Sequence, residues 1–217
     1  LTDYQDTALA ARFRALVEAT HAAESKLAGS AGSPITEAVA RQFSRLLAVK
    51  DEYEVARLYT DGRFQAALAE QFEDAGQLRF HLAPPLLARR GPDGKPRKMS
   101  FGPWMMGAFR WLARARRLRG SWMDPFGHTE ERRIERQLAD DYERLLRETL
   151  LPQLDASNAA SALALARLPE RIRGYGHVKL ANVATARAQQ QDLLARFAAG
   201  EAPVAAPVRK VIVISAN

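Results

Sequence analysis

Apolar residues recur at three- and four-residue steps along most of this chain, the spacing of amphipathic helices and not of strands. Leu9, Phe13, Leu16, Ala19, Ala23 and Leu27 predict a first helix over about 3–28, broken by Gly29-Ser30-Ala31-Gly32. Ser33 then reads as an N-cap and Pro34 as the first helical residue, because proline lacks only an N–H that has no partner there. Ile35, Val39, Phe43, Leu46 and Leu47 line a second helix, with a continuation through Asp51–Tyr59. Asp61-Gly62 interrupts it, and Arg63–Glu73 reads as a short helix.

The pattern changes between Gln77 and Gly102, where Pro84-Pro85 forbids a long helix. Candidate strands at 78–82 and 96–101 flank a loop containing Gly91-Pro92-Asp93-Gly94 and predict a hairpin-like excursion. Helix returns at Pro103. Trp104, Ala108, Trp111, Ala115 and Leu118 share one face, and Arg110, Arg114 and Arg117 share another. Asp124-Pro125-Phe126-Gly127 carries turn chemistry. A long helix over about 129–150 follows, with Ile134, Leu138, Leu145 and Leu146 inward and Pro152 ending it. Asp155 or Ser157 caps an Ala/Leu-rich helix to Leu168, Gly174-Tyr175-Gly176 makes a loop, and the last helix runs from about His177 to Ala199. The expectation is an all-α, bundle-like domain over 1–200 with a small β excursion near 78–101. An extended tail, 201–217, ends in the apolar run Val211-Ile212-Val213-Ile214.

Composition narrows the chemistry more than the fold. There is no cysteine, which removes disulfides, thiolate nucleophiles and cysteine-held zinc or iron–sulfur centres together. The first thirty residues mix charges into an amphipathic pattern unlike a signal peptide, and no stretch reaches the roughly 18 apolar residues of a membrane span, so a cytoplasmic location is expected. The chain starts at Leu1 without a methionine, as a fragment of a longer protein would.

His21, His81, His128 and His177 show no metal-ligand spacing, and no phosphate-binding loop, dinucleotide fingerprint or nucleophile elbow occurs. Glu130-Glu131 complement a helix N-terminus, and Asp140-Asp141 beside Arg136 and Arg144 read as solvated ion pairs. Gly174-Tyr175-Gly176-His177 ahead of a helix reads as a turn, with anion binding at the helix N-terminus as the functional alternative. Trp104 and Trp111 are expected in the core, given how much area aromatic rings bury. The alternative is a cationic, Trp-bearing helix lying on a membrane surface.

Charge is the most informative feature. Arg79–Arg119 holds eleven Arg or Lys against Asp93 alone, a local +10 in a chain whose formal charge is +7, so the remainder sums to −3. A localised basic face suggests an acidic partner. The absence of zinc-finger, ribonucleoprotein and recognition-helix signatures argues against nucleic acid.

Five strings stand out together. They are Lys50-Asp51-Glu52-Tyr53-Glu54-Val55-Ala56-Arg57-Leu58-Tyr59, Phe80-His81-Leu82-Ala83-Pro84-Pro85-Leu86-Leu87, Phe101-Gly102-Pro103-Trp104, Leu118-Arg119-Gly120 with Asp124-Pro125-Phe126-Gly127, and Ile172-Arg173-Gly174-Tyr175-Gly176-His177-Val178-Lys179. Across roughly 33–197 the chain resembles the C-terminal region of large single-chain bacterial indolepyruvate ferredoxin oxidoreductases, a domain with no assigned function of its own. The resemblance implies a parent that oxidatively decarboxylates an aryl-pyruvate. Thiamine diphosphate and magnesium would activate the 2-oxo acid, iron–sulfur clusters would take the electrons, and coenzyme A would accept the acyl group. This segment has neither cysteines nor a Gly-Asp-Gly thiamine signature, so no catalytic, cofactor or metal residue is assigned to it. The expectation is an accessory or docking domain. Its candidate face is Arg89, Arg90, Arg97, Lys98, Arg110, Arg114 and Arg117, meeting an acidic ferredoxin or the phosphates of coenzyme A. An independent basic module for nucleic acid or an anionic surface is the rival.

Overall fold

The computed structural model of the protein describes residues 1–27, 32–72, 78–82, 97–174 and 176–204. Among these the chain forms α1 (Thr7–Glu24), α2 (Pro34–Leu47), α3 (Glu52–Thr60), α4 (Arg63–Gln71), β1 (Phe80–Leu82), β2 (Met99–Phe101), α5 (Met105–Arg114), α6 (Glu130–Arg144), α7 (Ala159–Arg167) and α8 (Gly176–Ala199). The fold is mainly helical with a small antiparallel pair, as the spacing predicted. The strands register Phe80 with Phe101, His81 with Ser100 and Leu82 with Met99. The Gly91–Gly94 turn, Pro84-Pro85, Tyr175 and the apolar run at 211–214 lie outside the described residues.

The chain divides into two compact units: Leu1–Ala15 with Phe43–Glu143, and Leu16–Gln42 with Arg144–Asn217. In the first, α3 and α5 pack through the small residues Ala56 and Ala113, whose size lets the backbones approach. Around them sits an aromatic cluster. Tyr59 stacks on Phe109 at 5.0 Å and meets Phe80 and Phe64 edge-on at 5.3 and 4.8 Å, geometries that aromatic quadrupoles favour. Elsewhere in that unit Phe43 contacts both Phe13 and Tyr142.

The predicted continuation of the second helix through Asp51–Tyr59 does not occur. The chain leaves α2 at Leu47 and restarts with Asp51 in extended backbone as the N-cap of α3, its carboxylate accepting the Glu54 N–H at 2.8 Å. The first helix is also shorter than 3–28, beginning at Thr7 with Asp6 accepting the Leu9 N–H at 2.8 Å.

In the second unit, α2 begins at Pro34 as predicted, and the carbonyl of Ser33 accepts the Glu37 N–H at 2.9 Å. The Ser33 hydroxyl lies 3.4 Å from His21 Nδ1. The free N–H groups of Ile35 and Thr36 go to the two carboxylate oxygens of buried Glu24, both at 2.8 Å. A buried acid is stable there because the helix start supplies donors and a positive dipole end. At the start of α7, Asp155 accepts the N–H groups of Ser157 and Asn158 while Asn158 holds the N-cap position. Leu165, Ala162, Ala166, Val183, Ala186 and Phe197 complete a core between α7 and α8.

Candidate functional site

The α3–α5 pair positions an open cleft of about 450 Å³ in the first unit. Arg57 from α3, Arg63 from α4, Arg110 and Arg114 from α5 and Arg116 from the 3₁₀ turn Ala115–Leu118 line it, with Asp3 and Asp61 as its acids. Residues 110 and 114 stand one helical turn apart, so both guanidinium stems rise on the same side of α5. Arg57 is already committed, forked onto Glu54 at 2.8 and 2.7 Å and lying 3.5 Å from Asp61. Arg63, Arg110, Arg114 and Arg116 form no salt bridge among the described residues. The Nε of Arg116 is buried and has no acceptor among them.

Of the seven basic residues expected on one face, the structure brings two together, Arg110 and Arg114. Arg117 is exposed in the 3₁₀ turn but does not line the cleft. Arg97 and Lys98 are exposed just ahead of β2 and stand apart from it, and Arg89 and Arg90 lie outside the described residues. Arg57 and Arg63 were missed because they fall outside the basic window. Only the packing of α3 against α5, for which mid-helix Ala56 and Ala113 are the sequence signal, places them there.

Trp104, Trp111 and Trp122 are not core residues, being 67%, 70% and 84% exposed. Helix α5 carries two apolar stripes, and the fold buries the one bearing Phe109 and Ala113, with Met105, Met106 and Leu112 partly covered beside it. Phe109 wins because its flat ring stacks on Tyr59 while Ala113 lets α3 approach. The Trp104–Trp111 stripe is left facing outward, beside Arg110 and Arg114, with Trp104 touching Phe101 edge-on at 5.9 Å.

A second cavity in the same unit, about 260 Å³, is built from two of the strings that carried the resemblance. Arg119 forks onto Asp51 at 2.5 and 2.9 Å and donates to the Tyr4 carbonyl at 2.6 Å. Its guanidinium lies 3.7 Å from the centre of the Tyr4 ring and 5.4 Å from that of Tyr53. The Tyr53 hydroxyl donates to Asp124 at 3.0 Å. Burial opposes ionisation of Asp124, but donors from Gly120, Tyr53, Phe126 and Gly127 outweigh it and hold the carboxyl below its ordinary value. Burial, with Asp124 beside it, pushes the Tyr53 phenol up. A Cβ at Gly127 would fall 2.6 Å from Asp124 Oδ2, so this turn admits only glycine without moving the carboxylate.

Every arginine around that second cavity is matched. Arg12 meets Asp140 and Glu143, Arg132 meets Glu52 and Glu135, and Arg136 donates to the Gly127 carbonyl. The arrangement pins the N-terminal segment, α3, the 119–127 turn and α6 together. Among the described residues no three His, Asp or Glu side chains are placed to hold a metal ion, and no helix is long and apolar enough to cross a membrane.

No curated protein and no solved structure matches the chain. Residues 1–192, most of its length, match a family of unknown function, DUF6537, and the chain belongs to that family.

Proposed function

We propose that this chain is an accessory module without chemistry of its own, which docks an acidic protein through the arginine and tryptophan surface of α5. One observation carries the reading: Trp104 and Trp111 are largely exposed on the helix that bears Arg110 and Arg114, and neither arginine is ion-paired among the described residues. Tryptophan and arginine are the residue types that dominate binding energy at interfaces, and desolvating exposed rings against a partner releases apolar surface that the fold leaves in water. The resemblance to the C-terminal region of indolepyruvate ferredoxin oxidoreductases supplies a context. In it the parent is a cytoplasmic, thiamine-diphosphate-dependent 2-oxoacid oxidoreductase, and the acidic partner is its ferredoxin.

Titration of the chain with an acidic ferredoxin at low ionic strength tests the reading. Trp111→Ala is expected to weaken binding by about 2 kcal/mol, the lower bound for an interfacial anchor. Unaltered affinity in Trp111→Ala would remove the tryptophan from the interface. A second reading, adsorption to an anionic lipid surface, is favoured by the same outward rings on a cationic helix. Binding to phosphatidylserine vesicles with no binding to ferredoxin would select it.

A further inference from the structure

We infer that the arginine cleft between α3, α4 and α5 is a binding site for a small polyanion carrying a pyrophosphate group. The cleft shares Arg110 and Arg114 with the docking surface, so the inference is tested through Arg63 and Arg116, which line the cleft and play no part in that surface. The contrast between the two cavities carries it. Around the 260 Å³ cavity each arginine has a carboxylate or carbonyl partner, the condition under which charges sit stably inside a fold. Around the 450 Å³ cleft the exposed Arg63, Arg110 and Arg114 and the half-buried Arg116 have no ion-pair partner among the described residues.

The acids of the cleft do not offset them. Asp61 is spent on Arg57 and on the backbone N–H of Arg63 at 3.1 Å, which leaves Asp3. The Thr60 hydroxyl is likewise turned inward, donating to the Ala56 carbonyl at 2.8 Å. What lines the cleft is therefore a set of planar, forked donors. Arg116 is held in its wall as a partly buried cation whose Nε–H has no acceptor, and a bound anion would supply its missing counter-charge.

Forked guanidinium groups match phosphate oxygens two at a time, and four of them exceed what one carboxylate can neutralise. The volume falls within the roughly 300–1,000 Å³ of small-ligand sites. A pyrophosphate group meets both conditions, whether it arrives free or as the diphosphate of a nucleotide.

Calorimetric titration of the whole chain with sodium pyrophosphate, ADP and citrate decides the matter. Saturable pyrophosphate binding is expected, weakened roughly tenfold or more, about 1.4 kcal/mol, in both Arg116→Gln and Arg63→Gln and unchanged in Arg117→Gln. The two cleft variants sit on different elements, so one remains informative should the other not fold by circular dichroism. Tighter binding of ADP assigns the ester as the source, and equal binding assigns the free group. No saturable binding at low ionic strength, equal affinity for citrate, or the same loss in Arg117→Gln would overturn the assignment. Trp111→Ala and Arg117→Glu alter the docking surface outside the cleft, and Arg63→Gln and Arg116→Gln alter the cleft alone, so failure of one proposal is distinguishable from failure of the other.

Discussion

Replacing Asp51 with alanine removes two interactions at once, the N-cap of α3 and the counter-ion of Arg119. Both side chains are deeply buried, 5% exposed for Asp51 and 11% for Arg119, so solvent screening discounts little of the effect. Losing one partner of a buried ion pair typically costs about 3–5 kcal/mol, because the remaining charge is stranded. The cap contributes about 1 kcal/mol within that range, not in addition to it, since Asp51 Oδ1 serves both Arg119 and the Glu54 N–H. For a chain of this length a loss of that size lowers the melting temperature by roughly 6–20 °C. The assay is differential scanning calorimetry of Asp51→Ala, Arg119→Met and the double variant. The double variant should be less damaged than the two single losses added together, because it strands no charge. A shift below about 2 °C for Asp51→Ala, or strictly additive losses, would refute the idea that this pair pins the first unit.

Three further outcomes follow from the geometry. Gly127→Ala should destabilise by about 1–3 kcal/mol in urea unfolding, since its methyl would displace the Asp124 carboxylate. Asp124 has a folded-state pKa below its unfolded value, so it stabilises above the ordinary carboxylate pKa and that contribution is lost as pH falls through the lower folded value. Asp124→Asn should therefore flatten the acid limb of the stability profile below about pH 4 and leave its shape near neutrality unchanged. Tryptophan emission should resemble indole in water and be strongly quenched by acrylamide in the folded protein, whereas blue-shifted, protected emission would contradict the exposure of Trp104, Trp111 and Trp122.

Helix type and order were legible because apolar spacing is a local signal, and the β excursion was legible because prolines and glycines punctuate it. What escaped was set by contacts distant in sequence. The start of α3 carried its own mark, Asp51 three residues before Glu54, but apolar spacing continuous with α2 hid it. On α5 the period permits two apolar stripes, and only the ring of Tyr59, supplied by another helix, selects Phe109 over the tryptophans. The pairing of Arg119 with Asp51 spans 68 residues and leaves no periodic trace. Arg110 and Arg114 were legible as a helical repeat. Their cleft neighbours Arg57 and Arg63 were not, because α3 and α4 read locally as ordinary solvated helices.

The docking role stands or falls on one titration. An acidic ferredoxin is added to the wild-type chain and to the triple variant Arg110→Glu, Arg114→Glu, Arg117→Glu, each at low and at high ionic strength. Screening shortens from about 30 Å at 0.01 M salt to about 3 Å at 1 M, so wild-type affinity should fall steeply across that range. The triple variant should bind weakly at every salt concentration, with a flatter dependence. Equal affinity of the two chains, or wild-type binding indifferent to salt, would show that Arg110, Arg114 and Arg117 do not form the contact.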